Sequence, residues 1–130
     1  MRRVPPLMLA CLSLMVGTAH ADPGRPLDES LSRFRAGIRI AEQVFPNTLC
    51  EPVVYRYVPR QASPLVGTFD SGKCQVTVYG RHSFGMLCSI LVHERGHAAG
   101  RQHHPNPRSI MHQKINRPHP LCGGYWRRIP

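Results

Sequence analysis

The stretch from Leu91 to His103 reads LVHERGHAAGRQH, and it concentrates the side chains of this protein that could do chemistry. His93 and His97 are four residues apart. On a helix that spacing places both imidazoles on one face, one turn apart, where they can share a metal ion. A neutral imidazole nitrogen is a good zinc ligand at about 2.0–2.1 Å. Glu94 is rotated by about 100° from His93 around such a helix. Its carboxylate therefore flanks the metal rather than binding it, and can accept a proton from a water that the metal activates. Gly100 allows the chain to leave the helix through a turn that a side chain would hinder. His103 can then return as a third ligand, with a fourth position left open for water. Five positions are specified over eleven residues, a pattern that the chain's histidine content alone does not generate by chance.

A helix must carry this group. The spacing predicts one from Ser83 or Phe84 to about Ala99, with Leu87, Ile90, Leu91 and Ala98 on its apolar face and Gly100 just beyond its end. Ahead of it, a helix is expected from Asp28 or Ser30, because Leu31, Phe34, Ile38 and Ala41 or Phe45 recur at helical spacing; Pro46-Asn47 ends it. Val53 to Val58 is β-branched and aromatic and reads as a strand closed by Pro59. Leu65 to Phe69 reads as a shorter strand, Asp70-Ser71-Gly72-Lys73 as a turn, and Cys74 to Tyr79 as a third strand that completes a hairpin. The remainder, Gln113 to Pro130, is rich in proline and reads as an irregular tail pinned by Cys122, with Tyr125, Trp126 and Ile129 as packing anchors. Helix, three strands, helix and tail make an α+β fold.

The 130 residues suit one domain. Residues 1–21 are expected to be a secretory signal peptide: Arg2 and Arg3 precede an apolar run from Leu7 to Val16, and Ala19-His20-Ala21 offers the small residues a signal peptidase reads. That run is shorter than the ~20 residues a membrane span needs, so no stable membrane insertion is expected after cleavage. The domain then covers 22–130 and is expected to be secreted and extracellular. Its cysteines are Cys50, Cys74, Cys88 and Cys122, an even set that reads as two disulfides. Three pairings exist; the preferred one joins Cys74 to Cys88, strand to following helix, and Cys50 to Cys122. The formal net charge of +10 invites a nucleic-acid or membrane reading. Arginines are spread over helix, strands and tail, without the interleaved aromatics of single-strand binders, so no nucleic-acid partner is expected.

The segment His93-Glu94-Arg95-Gly96-His97-Ala98-Ala99-Gly100-Arg101-Gln102-His103 resembles the extended zinc-binding sequence of the metzincin metallopeptidases. Ser109-Ile110-Met111, ending eight residues after His103, resembles the Met-turn of that family, and the loop between looks like the short connection of matrixin-like and small bacterial members. The resemblance spans Leu91 to His112. It implies a minimal metzincin-like (zincin) domain, with Met111 forming the floor under the metal. It also implies that Leu65 to Phe69 is the strand edging the cleft, where an extended peptide substrate would pair. Three positions depart from the family pattern. Arg95 replaces an apolar or aromatic residue and is expected to lay its stem on apolar surface with its head in water. His112 stands where several families place tyrosine and reads as a surface histidine. His104 adjoins the third ligand, and the motif spacing favours His103. Ser109 is expected to hydrogen-bond within its own turn.

These observations imply a secreted zinc-dependent endopeptidase, monomeric, acting on peptide or protein substrates. His93, His97 and His103 hold Zn2+, and Glu94 is the catalytic general base. The alternative is a secreted zinc-binding domain without peptidase activity, which would not require the base.

Overall fold

A computed structural model describes residues 26–60, 64–115 and 117–123. The expected signal peptide and the anchors Tyr125, Trp126 and Ile129 lie outside the described residues. The elements run α1 (Pro26–Val44), β1 (Val54–Val58), β2 (Gly67–Asp70), β3 (Gln75–Tyr79), α2 (Phe84–Ala98) and a single-turn α3 (Pro120–Gly123). The fold is α+β. Among the described residues no helix is long and apolar enough to cross a membrane.

The helix α2 is the centre of the molecule. Ser83 caps its start, accepting a hydrogen bond from the Met86 N–H on its side chain. Its far end closes with Gly100 N–H donating to His97 O and Arg101 N–H to Gly96 O, the paired bonds of a Schellman turn. That turn needs the left-handed backbone that Gly100 adopts at φ 82°. Nearly the whole circumference of α2 is buried, including Phe84, Leu87, Ile90, Leu91 and Val92. A helix covered all round needs partners on every side. On one side α1 packs through Phe34, Ala36 and Ala41. The helices approach closely at Gly37, where an added Cβ would stand 2.7 Å from Leu91 Cδ1. Contact through that face leaves Leu31 42% exposed, against the expectation that it joins the core. α1 also starts earlier than Asp28, at Pro26, a residue whose fixed φ suits a first helical turn.

On the other side lies a three-stranded mixed sheet in the order β1-β3-β2. β3 is central. It pairs parallel to β1 (Val54 with Gln75) and antiparallel to β2 (Phe69 with Val76). The expected hairpin forms, and Asp70 Oδ1 accepts from Lys73 N–H in its turn. β2 is shorter than expected at its start, although Val66 O still accepts from Tyr79 N–H. β3 begins one residue late because Cys74 closes the turn at φ 47°. Among the described residues the outer edge of β2 has no strand partner.

The disulfides correct the preferred pairing. They join Cys50 to Cys74 and Cys88 to Cys122, not Cys74 to Cys88 and Cys50 to Cys122. Parallel pairing of β1 with β3 sets the segments that lead into each strand side by side; Val54 N–H donates to Cys74 O. Cys50, just upstream of β1, therefore lies beside Cys74. Cys88 lies on α2, and its bond is to Cys122 rather than to Cys74. It meets the returning tail instead. The buried Ser89 hydroxyl donates to Gly85 O and accepts from His119 N–H, which brings Cys122 down onto α2. Apart from the single turn of α3, the described tail is irregular, as expected.

Candidate metal centre

His93 and His97 lie one turn apart on α2, and the turn at Gly100 returns His103 beside them. The three offer one nitrogen each within 4.8 Å of one another, a group that could hold a metal ion. The separations are 3.2 Å between the Nε2 atoms of His93 and His97, and 3.1 Å between those of His97 and His103. The opposite edges of two rings are already engaged. His93 Nδ1 donates to Ile110 O at 2.6 Å, and His97 Nδ1 donates to Arg101 O at 2.8 Å. With the protons there, both Nε2 atoms carry lone pairs. Lone pairs facing each other at 3.2 Å repel in the absence of a proton or a cation between them. Carbonyl acceptors behind ligating histidines are the usual way such rings are held and oriented.

The electrostatics favour the ligating form. Burial lowers the pKa of His93, opposed by its bond to the Ile110 carbonyl, and the neighbouring His97, His103 and His112 add to the lowering. Burial also lowers that of His97, opposed by the Arg101 carbonyl, with His103 adding to it. Neutral imidazoles are the state that binds a metal. Of the two adjacent histidines, His103 joins the group that could hold a metal, whereas His104 accepts the Asn106 N–H on its Nδ1.

Glu94 is 7% exposed and lies beside the group without being part of it. Burial alone pushes its carboxyl up to about 7. Among the described residues no cation or hydrogen-bond donor pairs with it. A carboxyl with a raised pKa and free oxygens is suited to take and give a proton near neutral pH. It reaches this place because β2 carries Gly67 opposite it. A Cβ on Gly67 would stand 2.9 Å from Glu94 Oε1 and 2.6 Å from Ile90 Cγ2. Reading the residue types for chemistry does not single out Gly67; the available signal is a glycine inside a strand-like run, which often marks a close approach.

The loop that follows is built to hold position. Asn106 Oδ1 accepts from Arg108 N–H, and Ser109 Oγ accepts from Met111 N–H, so Ser109 bonds within its turn as expected. His104 N–H donates to Met111 O, closing the loop. Met111 is buried and its sulfur lies against α2 at Gly96. His112 is half-buried, with Lys114 N–H donating to its Nδ1 at 3.1 Å.

Arg95 is a correction. Its head is not in water; the residue is 6% exposed. The guanidinium donates to Phe45 O at 2.7 Å, to Tyr55 Oη at 2.5 Å and to Pro46 O, with Glu42 at 4.0 Å. It points away from the histidines, as helix geometry requires, into the seam between α1 and β1.

Two hollows open beside the group. One, of about 670 Å³, is bounded by Leu49, Thr68, Phe69, Ala98 and Gln102. The other, of about 430 Å³, lies toward Leu65, Met86 and Ile115. Gly67, Glu94 and His103 border both, so the hollows meet at the candidate centre and follow β2 to either side. Compared with protein-family models, with curated proteins and with solved structures, the chain matches none.

Proposed function

We propose that the protein is a small extracellular zinc endopeptidase of metzincin type, with zinc held by His93, His97 and His103. The observation that carries the reading is the convergence of the histidine Nε2 atoms, two of them backed by carbonyls, next to a buried and unpaired Glu94. Two ligands on one tetrahedral zinc at about 2.05 Å are separated by about 3.3 Å. The 3.1 and 3.2 Å separations lie close to that value.

Zinc bound there supplies Lewis acidity, which polarises a peptide carbonyl and makes water nucleophilic at neutral pH. The protein's own groups do the rest. The unpaired edge of β2 offers backbone donors and acceptors to an extended peptide. The peptide would lie along the hollows, its scissile bond over Glu94. Glu94 takes the proton of the attacking water and passes it to the departing amine nitrogen, so that the new acid and the new amine leave with the proton balance closed. The carbonyls of Ile110 and Arg101 keep the rings in place, and the closed loop from His104 to Met111 supports the Ile110 carbonyl. The two disulfides suit the extracellular compartment that a secretory signal implies.

The test compares wild type with Glu94→Gln, each loaded with zinc and given casein. Metal analysis is expected to find equal zinc in both. Casein cleavage is expected to fall by a factor of about 10² or more in the variant. Undiminished cleavage by Glu94→Gln would overturn the role of Glu94. A zinc-loaded wild type that leaves casein and peptide libraries intact would overturn the peptidase and leave a metal-binding domain.

A further inference from the structure

The two hollows beside the candidate centre differ in charge. The larger one is bounded by Leu49, Thr68, Phe69, Ser71 and Gln102, and among the described residues no lysine or arginine lines it. Close by, Lys73 and Asp70 pair with each other at 3.7 Å. The smaller one has Pro64, Leu65, Val66, Met86 and Ile115 among its walls, and away from the histidine group its polar members are His82, Gln113 and Lys114. Among the described residues the only carboxylate on its lining is Glu94, at the end where it meets the histidines.

Lys114 is exposed and, among the described residues, no carboxylate pairs with it. Its backbone is fixed, since its N–H donates to His112 Nδ1 just after the Met111 turn. An ammonium on a flexible stem, anchored at its base and set over apolar walls, is arranged to meet a carboxylate that arrives on an aliphatic stem. The Gln113 amide on the same rim adds a neutral donor.

Resting on the peptidase reading, we infer that the hollow bounded by Met86 and Ile115 selects a carboxylate-bearing residue on one side of the scissile bond through Lys114. The apolar walls take the methylene stem of a glutamate and the rim takes its charge. A lysine or arginine there would bring two cations together in a partly dry site, which weighs against it. The opposite hollow, without a cation, confers no such preference. The same chemistry could reach Lys114 from the carboxylate of a chain terminus close to the cut.

The experiment uses zinc-loaded protein and two sets of internally quenched peptides. The residue before the scissile bond is varied in one set and the residue after it in the other, through Glu, Gln, Leu and Lys. Each peptide is made both as the C-terminal amide and as the free acid. Expected is a preference for Glu over Gln and over Lys of about five- to tenfold in kcat/KM, in one set only. Preference retained in the amides assigns the side-chain carboxylate; dependence on the free acid assigns the terminus, and either supports Lys114 as the reader. In Lys114→Glu the preference is expected to invert toward Lys, and in Lys114→Met the Glu-to-Gln ratio is expected to approach one. Each ratio is taken within one preparation, so a partly misfolded variant does not distort it. Cleavage of Leu peptides with neither a Glu preference nor a preference for the free acid over the amide, or ratios untouched in both variants, overturns the inference and leaves the peptidase standing. Cleavage of no peptide overturns both.

Discussion

Glu94 and Gly67 act as a pair although they belong to different elements. The carboxylate lies within contact distance of the strand because no Cβ intervenes; one at Gly67 would meet Glu94 Oε1 at 2.9 Å and Ile90 Cγ2 at 2.6 Å. Ile90 is fully buried and has nowhere to move, so the side chain that yields is Glu94. Displacement of a proton-carrying group by about 1 Å can cost around a hundredfold in rate. Gly67→Ala is therefore expected to lower kcat for peptide cleavage by roughly ten- to a hundredfold. Zinc content should be unchanged, because the atoms that a Cβ at Gly67 would meet first belong to Ile90 and Glu94 and not to the histidines. Metal analysis alongside kcat checks it, and loss of zinc together with activity would show that the strand supports the ligands rather than the base. The three-histidine group itself is legible from spacing, since four residues make one helical turn and a glycine makes the exit. The role of Gly67 is not, because it depends on which strand the helix happens to face.

The element that binds the layers together is α2, and Arg95 is its attachment to the rest. From one guanidinium it satisfies the Phe45 and Pro46 carbonyls at the end of α1 and the Tyr55 hydroxyl on β1. The Tyr55 hydroxyl is itself shifted up by burial, partly opposed by Arg95. Removing the arginine leaves the partly buried Phe45 carbonyl and Tyr55 hydroxyl without this donor, at about 1–3 kcal/mol for each group that stays unpaired, whereas the exposed Pro46 takes water in its place. Glu42 is half exposed, with 49% of its side chain in solvent, and rehydrates at little cost. Arg95→Met, which keeps the aliphatic stem, is expected to lower unfolding free energy by about 2–4 kcal/mol. Urea denaturation measures this, and a loss below about 0.5 kcal/mol would mean that water replaces the guanidinium. The residue also marks where sequence reading stops. α2 and the hairpin are legible because their signals are local: Ser83 and Gly100 bracket the helix, and Asp70 to Lys73 form the turn. Helical geometry correctly turns Arg95 away from the histidines, yet it is silent on what waits there. Leu31 likewise has the right periodicity, but the close approach at Gly37 rotates the contact face of α1 away from it.

Across the molecule, two covalent links close loops of similar size, with sequence separations of 24 from Cys50 to Cys74 and 34 from Cys88 to Cys122. Their pairing was not legible because it follows from parallel pairing of β1 with β3, a contact between segments far apart in sequence. Loop-closure entropy assigns each about 3–4 kcal/mol, so replacing either pair by alanines is expected to cost similar stability. Their effects on the site should nevertheless differ. Cys88–Cys122 is fully buried and fastens the tail to the first half of α2, remote from the exit turn that places His103. Cys50 borders the larger hollow, next to Leu49, whose N–H donates to Ala98 O at the end of α2. Leu49 in turn covers Gly100, where a Cβ would stand 2.9 Å from Leu49 Cδ1. Releasing Cys50 from Cys74 therefore loosens the segment that lies against the exit turn, and with it His103. The expected outcome is that Cys50→Ala/Cys74→Ala weakens metal affinity by roughly tenfold or more, the order found when groups that orient ligands are removed. Cys88→Ala/Cys122→Ala should instead keep its affinity in the folded fraction while losing the same thermal stability. Competition against a zinc chelator, at a temperature where both variants are folded by circular dichroism, distinguishes them. Equal affinities in the two variants would show that α2 alone, without the wall at Leu49 and Cys50, holds the three histidines together.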